Sequence, residues 1–149
     1  MDRHRPALLE AKITGAILNA FRRVYGALGF GYRELIYSLA MERELTMMGH
    51  LVEREVPIIV YYRGEPLARQ TFDMIVDRRV IVEIKATEQL HASASAQLFS
   101  YLCSTDIEVG LLLHFGRHAD FNRVICENRL KQRNAPASGN RNGDDTRIN

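Results

Sequence analysis

Residues 71–85 read TFDMIVDRRVIVEIK. Two apolar, β-branched runs, one ending at Val76 and the next spanning Val80 to Lys85, flank Asp77-Arg78-Arg79, a pattern that predicts two strands joined by a tight turn. Side chains alternate along a strand, so Glu83 and Lys85 project from one face about 7 Å apart, with Val82 and Ile84 turned to the core. A turn near Asp77-Arg78 brings Asp73 opposite Glu83 or one pair away, within reach of a common divalent cation. Mg²⁺ and Mn²⁺ favour such oxygen pairs. An ion held there can polarise a phosphate oxygen and generate a nucleophilic hydroxide, while Lys85 offsets charge developing on the phosphate or orients the attacking water. An ExK tripeptide alone arises by composition roughly once every few hundred residues, and on a strand it is usually a solvated ion pair. Here apolar neighbours embed both acids, which is costly unless something compensates them.

Working outward, Val52, Val56 and Ile58 to Tyr62 predict a preceding strand, Arg63-Gly64-Glu65 a turn, and Ala68 to Val76 the strand that carries Asp73. The three strands form an antiparallel meander. Upstream, Leu9, Ile13, Ile17, Ala20, Phe21, Val24 and Leu28 recur at helical spacing, predicting a helix from Pro6 to about Leu28. The cluster Gly26 to Gly31 ends it. A second helix is expected from near Tyr32 to Gly49 with Leu35, Ile36, Leu39, Ala40 and Leu45 inward. Downstream come a helix from His91 to Cys103, an almost wholly apolar and hence central strand from Glu108 to Phe115, and a short strand from Asn122 to Cys126. Lys131 to Asn149, polar with Ile148 as its one large aliphatic residue, is expected to be a disordered tail after a single domain over 1–130. No internal repeat is visible.

A chain of 149 residues with 46% hydrophobic content suits one packed α/β domain with a mixed sheet. Twenty Lys+Arg against eighteen Asp+Glu leave a net charge of +2, which disfavours nucleic-acid binding by bulk charge alone. Cys103 and Cys126 lack CxxC pairing, which argues against a zinc ribbon or a disulfide scaffold. No secretory leader or membrane-length apolar run is read, so a reducing cytoplasm is the expected compartment and no membrane is expected as a partner.

Gln97 and Tyr101 stand four apart on one helical face, where an amide and a phenol can hold a lysine, a water or a phosphate; the plain alternative is a solvent Gln and a core Tyr. Glu34 and Tyr37 are i, i+3 neighbours after Gly31, and a carboxylate there also suits the helix dipole. Together these residues resemble the GxxExxY proteins of the PD-(D/E)XK nuclease superfamily. Gly31-x-x-Glu34-x-x-Tyr37, Asp73, Glu83-x-Lys85, Gln97-x-x-x-Tyr101 and the segment Thr105 to Gly116 match in order, over roughly Ile13 to Arg129. The resemblance implies a restriction-endonuclease-like core, α-β-β-β-α-β, with helices flanking a mixed central sheet. It also implies Glu34, Asp73 and Glu83 as ligands for Mg²⁺ or Mn²⁺, Lys85 as the catalytic lysine, and Gln97 and Tyr101 as members of the exonuclease-like motif. Phe72 replaces the proline of the superfamily signature, Ala94 stands where many relatives carry histidine, and His114 where asparagine is frequent.

The expected activity is metal-dependent phosphodiester hydrolysis of nucleic acid, with DNA as the expected substrate. The competing reading is a catalytically inactive module of the same fold that binds nucleic acid or a protein partner, and a partner protein or guide could choose the target. Other features carry less. His4, His50, His91, His114 and His118 lack zinc-site spacing. The arginines Arg54, Arg63, Arg69, Arg78, Arg79, Arg117, Arg123 and Arg129 could line a phosphate track, but scattered arginines on hairpins are more often solvated.

Overall fold

A computed structural model describes residues 9–131. In chain order it contains α1 (Ala11–Leu28), α2 (Glu34–Met47), β1 (Val52–Tyr62), β2 (Glu65–Val76), β3 (Val80–Lys85), α3 (Ser93–Cys103), β4 (Val109–Phe115), β5 (Ala119–Ile125) and a 3₁₀ turn, Asn128–Leu130. The strands lie side by side in sequence order. Neighbours are antiparallel except β3 and β4, which run parallel and are joined by the α3 crossover. α1 and α2 bury one face of the sheet and α3 the other. This is the mixed, helix-flanked sheet of a restriction-endonuclease-like α/β fold.

The turns obey local chemistry. Arg63-Gly64 and Asp77-Arg78 hold left-handed φ values of 51° and 78°, and of 51° and 56°, the type I′ geometry that matches hairpin twist. Asp77 adds acceptors for Leu51 N–H at 2.9 Å and for the His50 ring at 2.6 Å. β4 is buried along its whole length. Gly110 lets α3 close onto it, because a Cβ there would lie 2.8 Å from Leu98 Cδ1. Gly110→Ala is therefore expected to destabilise the fold by about 1–3 kcal/mol through overpacking, measurable by urea denaturation.

Several boundaries and one helical face differ from expectation. The first helix starts at Ala11 rather than Pro6, and residues 1–8 lie outside the described chain. β2 begins at Glu65 and β5 at Ala119, both earlier than their apolar content suggests, because ladder pairs Tyr62–Glu65 and Phe115–Ala119 recruit polar residues through the backbone. α2 is rotated relative to the predicted face. Leu35, Ile36 and Leu39 are 54%, 40% and 44% exposed, while Tyr37, Ser38, Met41 and Leu45 are buried. Tyr37 sets this rotation: its ring stacks on Phe115 at 4.1 Å, and its hydroxyl donates to Gly29 O at 2.6 Å and accepts from Tyr32 N–H at 3.2 Å. The expected disordered tail falls, beyond Lys131, outside the described residues; Lys131 itself hydrogen-bonds Thr105 O at 2.9 Å.

Beyond Phe72 on β2 and Ile58 on β1 the hairpin leaves the body of the protein. Glu65 to Thr71 are all exposed, so the hairpin ends in a two-stranded arm.

Candidate active site

The β2–β3 ladder ends at Met74–Val82, and continuing its register would place Asp73 opposite Glu83. There side chains take over the backbone's bonding. Asp73 N–H donates to Glu83 Oε1 at 2.9 Å, and Ile84 N–H donates to Asp73 Oδ2 at 2.7 Å. One oxygen of each acid is thus fixed by the opposite strand.

A break in alternation explains why the ladder stops. Regular pleating would put Phe72 and Met74 on one face. Instead Phe72, with Val56 and Ile58 on β1, packs into the α3 layer, whereas Met74, Val76 and Val52 pack into the α1–α2 layer. Both strands therefore change face at Glu55 and Asp73, and Glu55 carries a left-handed φ of 53°. A non-glycine residue in that region within a strand marks a local bulge-like twist.

Burial then dominates the electrostatics. Glu83 is 6% exposed. Its carboxyl is pushed up to about 8, first by desolvation and then by the Asp73 charge, with Glu34 adding to the rise and the Asp73 N–H and Lys85 opposing it. Asp73 is also raised by burial, against the Ile84 N–H, Lys85 and Arg54. Tyr101 is raised by desolvation and by the charges of Glu83 and Asp73, so its phenol lies within electrostatic reach of the pair. Phe72 meets the Tyr101 ring with centroids 6.2 Å apart.

The predicted residues separate into a centre and a rim. Asp73, Glu83, Lys85 and Tyr101 come together. Glu34, exposed in the first turn of α2, reaches the centre electrostatically, and Gln97 is exposed one turn before Tyr101. Among the described residues, no three His, Cys, Asp or Glu side chains stand as a closed metal cage. Asp73 and Glu83 nonetheless suit a hard divalent cation: they are oxygen donors held face to face in a buried place where their mutual charge is poorly balanced.

Three neighbours were not apparent from the sequence. Arg54, which reads there as one more scattered arginine, is 19% exposed at its side chain, donates from Nε to Ser38 Oγ at 3.1 Å and lies 3.5 Å from Glu42, clamping α2 to β1 within electrostatic reach of Asp73. Glu55 adds negative charge beside Asp73. His114 pairs in register with Lys85, and its Nε2–H donates to Thr87 O at 2.7 Å, holding the segment that follows the lysine. Its match to the strand pattern was visible in sequence, but the partner carbonyl was not.

A hairpin that sets an acid against Glu-x-Lys, followed by a crossover helix and a parallel strand, defines the nuclease class built on this sheet. The family model described as the PD-(D/E)XK nuclease superfamily matches residues 11–124, and the chain belongs to that superfamily. No curated protein matches it. Among solved structures, the crystal structure of SSO0001 is similar in fold, with a TM-score of 0.50 and 18% identity over 83% of this chain and 62% of that one. The chain thus spans about three-fifths of that protein's length. No helix among the described residues is long and apolar enough to cross a membrane.

Proposed function

We propose that the chain is a GxxExxY-type nuclease that hydrolyses phosphodiester bonds of nucleic acid, with DNA as its substrate and Mg²⁺ or Mn²⁺ as its cofactor. The observation that carries this reading is the cross-strand pair of Asp73 and Glu83, interlocked through backbone N–H groups and flanked by Lys85. Asp73 and Glu83 would hold the ion, with Glu34 completing the set from the first turn of α2. When bound, such an ion supplies Lewis-acid polarisation of a phosphoryl oxygen and a water of lowered pKa. Lys85 offsets negative charge that grows on the phosphate in the transition state. Tyr101, within electrostatic reach of both acids, and Gln97, on the same helical face, would position the phosphate or the lysine. Superfamily membership supports a nuclease, and the mutual repulsion of two close, buried acids supports metal dependence.

The test is incubation of the full chain with end-labelled single- and double-stranded DNA and RNA in Mg²⁺, Mn²⁺ or EDTA, with Glu83→Ala alongside. Metal-dependent cleavage of DNA that disappears in the variant is expected. A folded protein that cleaves nothing and binds no Mn²⁺ would replace this reading with the inactive binding module, and cleavage of RNA alone would overturn the substrate.

A further inference from the structure

We propose that Cys103 and Cys126 form a redox-active dithiol that closes reversibly to a disulfide, with the Lys131 ammonium as the cation that favours the reacting thiolate. The two cysteines of the chain are 23 positions apart and share no motif, yet the fold brings their sulfurs to 2.9 Å. A disulfide needs about 2.05 Å, so closure asks for a shift of only about 1 Å. The two sites are held by separate bonds: Cys103 ends α3, whose last turn is tied by Ser104 N–H to Ser100 O at 3.2 Å, and Cys126 N–H donates to Glu108 O at 2.9 Å. Neither anchor depends on the sulfurs.

Lys131 completes the site. Its ammonium is pinned by the carbonyls of Thr105 and Ile107 in the loop that leaves α3; desolvation there lowers its pKa, opposed by the charges of Cys126, Glu108, Cys103 and Asp106. Thiolate is the species that attacks in exchange, and a fixed neighbouring cation stabilises it. Cys103 is half-buried and Cys126 is 5% exposed, which sets the order of events. The Cys103 thiolate attacks a low-molecular-weight disulfide such as oxidised glutathione, forming a mixed disulfide and expelling one glutathione thiolate. The Cys126 thiolate then attacks Cys103 Sγ and expels the second. Two protein thiols lose two protons, and two electrons reduce the glutathione disulfide.

The bond would tie the end of α3 to the end of β5, two residues from Tyr101. The full chain, equilibrated in graded oxidised and reduced glutathione, quenched with acid and alkylated, reads this out by mass. Expected is a monomer lighter by two hydrogens with no alkylatable thiol, restored to two thiols by dithiothreitol and absent in Cys103→Ser. Two alkylatable thiols in the most oxidising buffer, or only glutathione adducts and intermolecular dimers, would overturn the proposal. Lys131→Gln is expected to slow closure severalfold, and closure at the wild-type rate would remove the lysine from it.

Discussion

Lys85→Ala is expected to lower the rate of DNA cleavage roughly 10²- to 10³-fold, the usual loss when one preorganised charge-stabilising group is removed. Lys85 is the last residue of β3, half-buried, and both Asp73 and Glu83 feel its charge. Its ammonium therefore faces the place where phosphate charge would grow, while its backbone keeps its register with His114. The variant should fold as the wild type does, with the same far-UV circular dichroism, since Lys85 ends β3 and no hydrogen bond within the sheet ends on its ammonium among the described residues. Loss of this cation also removes one of the influences that lower both carboxyls, so any residual activity should need a higher pH. Single-turnover cleavage at saturating Mn²⁺ across a pH series measures both effects, and a wild-type rate would remove Lys85 from the chemistry.

Metal-free protein is expected to become less stable as pH rises from about 4.5 to about 8, opposite to the usual trend for a paired carboxylate. Glu83 keeps its proton in the fold up to about 8, against an ordinary 4.5. Between those values the native state binds a proton that the unfolded chain has released, so stability falls with pH and levels off above 8. Asp73, also raised, contributes with the same sign. The fall amounts to a few kcal/mol, at about 1.4 kcal/mol for each tenfold difference in proton affinity between the folded and unfolded chain. Glu83→Gln keeps an acceptor for Asp73 N–H, so it should flatten the slope and exceed wild-type stability at high pH in EDTA. Millimolar Mn²⁺ should raise the wild-type melting temperature most where the proton has already left. A pH-independent melting temperature in EDTA would contradict the burial of that charge.

Much of the fold and the acid pair was legible in residues 71–85. Alternation and turn chemistry placed β2 and β3, and pairing across Asp77-Arg78 put Asp73 opposite Glu83 or one pair away; the structure has it opposite. The wholly apolar run of β4 announced a strand covered on both faces. The rotation of α2 was not legible, because that helix is apolar on more than one side and its orientation is fixed by Tyr37 against Phe115 and Gly29, contacts made across the fold. Simple alternation would have Phe72 and Met74 share a face. It could not show the reversal at Asp73, which depends on the left-handed Glu55 of another strand. Arg54 looked like any hairpin arginine until Ser38 and Glu42 were placed beside it.

The two-stranded arm beyond Phe72 has a mechanical consequence. A ribbon exposed along Glu65 to Thr71 has little burial to stiffen it, so it opens at lower free energy than the helix-covered sheet. Close to its root, past the buried Ile58 and Phe72, is the Glu55–Asp73 step where both strands change face. The step bears Asp73, so the acid bonded across to Glu83 and Ile84 lies close to where an exposed ribbon joins a covered sheet.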